Sequence, residues 1–309
     1  MASDTAHYFE PQAADARPRI LILGATGVTG GAVAALLDAD PEVEVVRAAR
    51  KAEQVAAWQA DGKAAVQLDL DDPRSFPAAL AGIDRLFVMS AYTIEMVHQV
   101  KCITDAAADA GVSFIVHLGV YSNGRETDPH FVWHELVERY IEGSGVAWCH
   151  LHPNIFMENL LTTQRLVGDT FLWPMAEKQV GWIAGNDLTA VAAKILSEGP
   201  AIHASANHFL SSEILGGPEV AEILSHVLER PITAAVMTPD QLEAAFASGT
   251  ARLPANIEPH YGASILENIR QIVDGRLAHL TVVTNTVETL LGRPPVLLAE
   301  WAKRNKALL

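Results

Sequence analysis

Cysteine is scarce: Cys102 and Cys149 are the only two in 309 residues. One lies in a helical pattern and one in an apolar strand pattern. Two such thiols exclude a disulfide scaffold and a thiolate metal cluster, and they fit a reducing cytoplasm. Free cysteine is among the most buried residue types, so both read as core rather than as nucleophiles. Cations are scarce too, with 22 Lys and Arg against 37 Asp and Glu and a net charge of −15. That balance argues against a nucleic-acid partner, which needs clustered Lys and Arg. No apolar run approaches the roughly 18 residues of a membrane span. The first 18 residues are polar and lack the apolar stretch of a secretory signal. The expectation is a cytoplasmic protein with no membrane partner, in which residues 1–18 form a flexible extension.

From residue 19 onward, short apolar runs alternate with longer amphipathic ones. The pattern predicts strands over 19–26, 43–49, 64–70, 84–90, 112–118 and 146–151. Helices are expected over 28–37, 52–60, 92–110 and 130–142, with a further start at Asp72-Pro73, where proline takes its favoured first helical position. Strands alternating with helices of this length mean βαβ units and a parallel sheet covered on both faces. The fold class is therefore α/β, a doubly wound parallel Rossmann sheet with a smaller mixed C-terminal lobe. The expected division is a dinucleotide-binding domain over 19–153 and a substrate lobe over 154–309, whose chain is free to re-enter the sheet. In that second part helices are expected over 187–198, 218–230 and 295–306, and short strands over 208–211 and 232–237. Asp187 would cap the first of those helices or stand in its first turn.

The strongest motif is Gly24-Ala25-Thr26-Gly27-Val28-Thr29-Gly30, placed where the first strand turns into the first helix. One glycine permits a tight turn, one lets backbone N–H groups approach a pyrophosphate, and one lets helix and strand pack closely. Phosphates then sit at the helix N-terminus, where unpaired N–H groups and the helix dipole favour anions. The end of the second strand sets cofactor choice: an acid there binds the ribose hydroxyl of NAD, and an Arg accommodates the 2′-phosphate of NADP. This chain has Arg47, Arg50 and Lys51 there and no acid. The reading is NADP(H), with Arg50 first, against the plainer alternative of a solvated basic turn.

At this point the sequence resembles the NmrA-like group of atypical short-chain dehydrogenases. The resemblance rests on the glycine loop continued to Gly31, on Leu68-Asp69-Leu70-Asp71-Asp72, and on the run from Ala106 to Val112. Further on it rests on His152-Pro153-Asn154-Ile155-Phe156-Met157-Glu158-Asn159, on Trp182 to Asp187, on Gly217 to Ala221, and on the ending from Arg293 to Leu309. It implies an NADP(H)-binding Rossmann protein, either a reductase of quinones, dyes or related aromatics or a redox sensor without turnover. It also implies that Asp69 and Leu70 lie beside the adenine and Ser90 near the ribose–phosphate. Leu118 and Gly119 would stand near the cofactor, and Pro153 and Asn154 near the nicotinamide. Typical short-chain dehydrogenases carry a catalytic Tyr-x-x-x-Lys on the helix after the fifth strand. Here that helix has His130-Phe131-Val132-Trp133-His134, with His134 where some relatives keep Lys.

His130 and His134 share a helix face, being four residues apart. Two readings stand side by side: His134 protonates the acceptor, or it is a structural histidine. Glu138 follows one turn later and reads as an orienting partner or a solvated charge. Tyr121, after the fifth strand, is the next candidate proton donor, against a loop-anchor reading. No metal is expected, because the two histidines lack a third ligand. Trp133, Phe156, Met157, Trp173 and Trp182 are large apolar side chains that would wall a substrate cleft, although each also reads as core. The expected function is an NADPH-dependent reductase acting on a conjugated or aromatic small molecule such as a quinone or enone. The alternative is an NADP(H)-sensing regulatory protein.

Overall fold

The computed structural model describes residues 17–252 and 257–309. Of the expected extension, residues 1–16 lie outside them.

Arg19–Ile22 forms β1, with Ile20, Leu21 and Ile22 fully buried. Successive apolar residues without alternation mark a strand covered on both faces. It is followed by α1 (Val28–Asp38), β2 (Glu44–Ala49), α2 (Ala52–Ala60), β3 (Ala65–Gln67), α3 (Phe76–Leu80), β4 (Arg85–Val88), α4 (Met96–Asp109), β5 (Phe114–Leu118), α5 (Pro129–Gly143) and β6 (Ala147–Pro153). The second part of the chain holds β7 (Ile155–Phe156), β8 (Thr170–Trp173), β9 (Val180–Ile183), α6 (Gly185–Glu198), α7 (Pro200–His203), β10 (Ala206–Leu210), β11 (Glu213–Leu215), α8 (Gly217–Leu228) and β12 (Thr233–Val236). It ends with α9 (Pro239–Ser248), α10 (Pro259–Asp274), α11 (Thr286–Leu291) and α12 (Leu298–Arg304).

Seven parallel strands form the main sheet in the order β10-β6-β5-β4-β1-β2-β3. Helices α1, α6 and α11 pack on one face, and α3, α4 and α5 on the other. The strand order reverses between β1 and β4. In sheets of this kind ligands bind outside the carboxyl ends of the strands at such a reversal. The lobe consists of the sheets β11-β9-β7 and β12-β8 with α8, α9, α10 and α12. Its core is built from residues such as Phe171, Trp173, Trp182, Leu224 and Trp301.

Several boundaries differ from expectation. The third strand stops at Gln67, because Asp69 to Ser75 form a hydrogen-bonded turn in which the Ser75 hydroxyl takes the Asp69 N–H at 3.1 Å. The helix expected from 92 begins at Met96. Thr93 Oγ1 accepts the Glu95 N–H at 3.3 Å and holds a non-helical turn before it. The strand expected over 208–211 is β10, which returns to the main sheet beside β6, so α6 and β10 belong to that sheet although they follow residue 154. The last helix is short, since residues 294–297 lie outside it, Leu297 is extended, and Leu298 opens the helix. Asp187 stands in the first turn of α6 with its carboxylate turned away to the C-terminal segment. It accepts the Val296 N–H at 2.7 Å and pairs with Arg293 at 2.7 Å.

Candidate functional site

The glycines of the first βα turn play three different parts. Gly24 has φ +66°, a left-handed conformation that favours glycine, and a Cβ there would stand 2.6 Å from Met89 Sδ. Gly27 closes the turn, its N–H donating to Gly24 O at 2.9 Å, and caps α1 without any side-chain hydrogen bond. A Cβ on Gly27 would meet only Gly24 O at 3.3 Å and would otherwise project into open space. Gly30 is where helix meets strand: a Cβ there would lie 2.5 Å from Gly24 C and 2.7 Å from Leu23 O. The first-turn N–H groups of Val28, Thr29 and Gly30 have no acceptor within a helix, and no acidic residue stands in that turn. Thr26 and Gly27 are exposed, and Val28, an apolar residue, is 85% exposed.

At the end of β2 the three cations separate. Arg47 points inward: its side chain is 5% exposed and paired with Asp38, so it is already used within the fold and is removed from the phosphate role. Arg50 and Lys51 are exposed at the β2–α2 turn, and neither is ion-paired among the described residues. Asp69 and Leu70, after β3, are half-buried, and the Asp69 carboxylate accepts the Asp71 N–H at 3.1 Å. Ser90 is half-buried just past β4, 4.0 Å from Met96 Sδ. The ends of β1 to β4 thus present the glycine loop, Arg50, Asp69 and Ser90 along one edge of the sheet.

The β5–β6 ladder continues past both strands. Gly119 N donates to Leu151 O at 2.9 Å, and Tyr121 N to Pro153 O at 3.0 Å. Leu118 is half-buried, facing the α6 side. Tyr121 lies between the rings of Phe209 at 5.1 Å and His279 at 6.5 Å. Its hydroxyl has no hydrogen-bond partner among the described residues, and burial raises its pKa above the ordinary tyrosine value. Pro153 and Asn154 are buried, and the Asn154 amide donates to Leu280 O at 2.8 Å. That bond pins the segment after α10 against the end of β6.

Of the two α5 histidines, His130 is half-buried and His134 buried. His130 Nε2 shares a 2.8 Å hydrogen bond with the Tyr261 hydroxyl, and burial lowers its pKa to about 4. His134 is buried, its ring 5.4 Å from His130 and 6.3 Å from His117. Burial first, then the neighbouring His130 and His152, hold its pKa well below the ordinary value. His134 is therefore neutral at neutral pH. Glu138 is not a solvated charge: its side chain is 13% exposed, and burial raises its carboxyl to about 8. Among the described residues no three His, Cys, Asp or Glu side chains come together as metal ligands.

The aromatic residues divide in the same way. Trp133 lines a cleft of about 390 Å³ with Ile94, Pro129, His260 and Ala263. Phe156 is half-buried against the sheet. Met157, Trp173 and Trp182 have no exposed surface and form lobe core, with Trp182 Nε1 donating to Leu215 O at 3.1 Å. A side chain sealed on all sides cannot wall a ligand cleft.

Two groupings join residues far apart in the sequence. Glu126, from the β5–α5 loop, meets His279 at 2.9 Å, an ion-pair distance without an aligned N–H. Burial would raise Glu126, but the adjoining His279 imidazole and hydrogen bonds from the Asn123 N–H and the Ser122 hydroxyl prevail and hold it at about 2. The second grouping packs His117, His150 and His152 of adjacent strands against His134 and Glu138 of α5. The alternation in His150-Leu151-His152 was a visible clue that two of these share a sheet face.

The sequence profile described as NmrA-like family matches residues 16–270. The chain belongs to the NmrA-like family. Among its relatives in that wider group is the NAD(P)H azoreductase of Xenophilus azovorans, 30% identical over 298 residues that cover 93% of this chain and 98% of that one. Quinone oxidoreductase 2 of Escherichia coli is 26% identical over 185 residues, 58% of this chain and 64% of that one. Among solved structures, the NADPH complex of the Escherichia coli NADPH-dependent quinone oxidoreductase superposes with a TM-score of 0.77 at 23% identity, covering 93% of this chain and 98% of that one. NmrA, a negative transcriptional regulator, in complex with NAD, has a TM-score of 0.72 at 17% identity, covering 93% and 95%. This NmrA-like chain fits a dinucleotide at the β1–α1 turn, because the Gly27 position is open where a side chain would otherwise stand over the helix N-terminus.

Proposed function

We propose that the chain is an NADPH-dependent reductase of a conjugated or aromatic small molecule, of the quinone or azo type. The observation that carries this reading is the open Gly27 cradle with the unpaired Arg50 and Lys51 at the next strand end. The azoreductase resemblance over nearly the whole chain supports it.

In this reading the first-turn N–H groups of α1 hold the pyrophosphate and Arg50 and Lys51 meet the 2′-phosphate. Asp69 and Ser90 lie along the adenosine half. Gly119, Pro153 and Asn154 form the floor where the reactive ring sits. NADPH, when bound, supplies the hydride. The chain's own contribution is to orient the acceptor and exclude water, which supplies most of the rate when hydride transfer needs no covalent step. Tyr121, whose hydroxyl has no partner among the described residues, donates a hydrogen bond to the acceptor in this reading. His134, neutral and buried, serves as a neighbour of the site rather than as a charged donor.

A second reading is a dinucleotide sensor without turnover, favoured by the helix α5 that carries His130 and His134 in place of Tyr and Lys. NADPH oxidation with a panel of quinones, azo dyes and enones separates the two. Turnover with any acceptor supports the reductase. Tight NADPH binding with no acceptor reduced supports the sensor.

A further inference from the structure

The interior between β5, β6 and α5 is polar where a Rossmann core is normally aliphatic. His117 and His150 are fully buried with rings 5.3 Å apart, edge to face, and neither ring has a hydrogen-bond partner at either nitrogen among the described residues. His134 Nδ1 and Glu138 Oε1 are also buried without hydrogen-bond partners among the described residues. His152 Nδ1 lies 3.6 Å from Glu138 Oε1 and 2.8 Å from Val120 O. At the other end His150 Nε2 lies 3.9 Å from Glu142 Oε1, and Glu142 reaches the surface with a quarter of its side chain exposed. Buried polar atoms left without partners are costly, and ordered internal water is the usual way they are satisfied. Contacts of 3.6 and 3.9 Å are too long for direct hydrogen bonds and leave these atoms to be satisfied by water beside them.

The cluster also has a direction. Strand alternation turns His117 and Gly119 to the α5 side. Glu138 Oε1 fills the space a side chain at 119 would take, 2.5 Å from where its Cβ would stand. Glu138 therefore lies directly beneath the backbone at the end of β5, next to the loop that carries Tyr121.

We propose that Glu142, His150, His117, Glu138, His152 and His134 form a hydrated proton-conducting seam that runs from solvent to the β5 end of the site. This inference rests on the reductase reading for its role. Reduction of a two-electron acceptor takes one hydride, from NADPH, and one proton. The proton leaves the Glu138 carboxyl through bridging water to the acceptor at the Tyr121 edge. Glu138 then regains a proton from solvent by way of Glu142 and His150. The groups facing Glu138 are Glu135, Arg139 and Glu142 on its own helix, His117, His150 and His152 from the strands, and Glu126 from the loop. Burial, reinforced by Glu142, keeps the carboxyl protonated up to about 8, so it stores a proton at neutral pH.

Infrared spectra of the wild type with and without carboxyl-labelled glutamate, and of Glu138→Gln, test the seam without cofactor. The expected result is a protonated-carboxyl band at neutral pH that shifts on labelling, titrates near about 8, exchanges in deuterium oxide within the folded lifetime, and is missing in Glu138→Gln. In steady-state reduction of menadione by NADPH, Glu138→Gln should lose about 10²-fold or more in turnover and change the solvent isotope effect, with NADPH affinity retained. Absence of the band from the labelled wild type overturns the seam whatever the turnover. A band with an unchanged rate and isotope effect in Glu138→Gln overturns its role in reduction. No wild-type turnover with any acceptor refutes the reductase reading, and with it that role.

Discussion

Gly27→Val separates binding from folding. The structure gives Gly27 an extended backbone, φ −92° and ψ 175°, which any residue adopts. A Cβ there meets one atom, Gly24 O at 3.3 Å. The fold should then lose only what a poorer helix N-cap costs, about 1 kcal/mol, or a fall of roughly 2–4 °C in Tm. The dinucleotide loses far more. A branched side chain over the helix N-terminus keeps phosphate from the N–H groups of the first turn. Loss of two hydrogen bonds to a charged group, at about 1.5–3 kcal/mol each, weakens NADPH by roughly 10²–10⁴-fold. Gly30→Ala is the contrasting variant. Its Cβ falls on Gly24 C and Leu23 O, backbone atoms that cannot rotate away. Overpacking of that kind costs about 1–3 kcal/mol, so its Tm should fall further than that of Gly27→Val. Isothermal titration with NADPH and thermal melting followed by circular dichroism give both numbers on each protein. A Gly27→Val protein that binds NADPH like the wild type would refute the placement of the phosphates at this turn.

Three further outcomes follow from the same geometry. Arg50→Asp should erase a preference for NADPH over NADH, since a carboxylate repels the 2′-phosphate and accepts from a ribose hydroxyl; an unaltered ratio of dissociation constants would move the 2′-phosphate elsewhere. Asp187→Ala leaves the Val296 N–H buried without its acceptor and should cost about 1–3 kcal/mol in urea unfolding, an effect missing if the C-terminal segment is held by other contacts. Glu138, protonated in the folded chain up to about 8 but ionised when unfolded above its ordinary 4.5, contributes stability that is complete below the unfolded value and is lost as pH rises through the folded one. Unfolding free energy should therefore fall across that window by up to about 1.4 kcal/mol per pH unit, and Glu138→Gln should flatten the slope; equal slopes in both proteins would mean that Glu138 is ionised in the fold.

The sheet was legible because its strands are short aliphatic runs bounded by Gly, Pro and Asp, and a glycine loop after the first one has few other uses. The glycine turn was legible for the same reason: Gly24, Gly27 and Gly30 act through their own backbone, which needs no partner from elsewhere. Arg47 was misjudged because sequence gives position along β2 but not side; alternation turns it inward to Asp38, while Arg50 leaves the strand and stays in solvent. Trp173 and Trp182 looked like pocket walls, yet two small sheets leave a lobe core that only large side chains fill. The pairing of Glu126 with His279 depends on the segment after α10 returning to the β5–α5 loop, which is tertiary. Glu138 read as a solvated charge because its helix neighbours Glu135, Arg139 and Glu142 are polar, and only the strands packed against it reveal the burial.

The central claim is that this chain moves reducing equivalents from NADPH to an aromatic acceptor. The most direct measurement is a single-turnover experiment in which stoichiometric NADPH, prebound to the protein, is mixed with menadione or an azo dye and the nicotinamide absorbance is followed. The account predicts loss of that absorbance in step with reduction of the acceptor, faster than in solution without protein, and abolished in Gly27→Val. NADPH that stays bound and unoxidised in the presence of every acceptor tried would contradict it and leave a dinucleotide-binding sensor in its place.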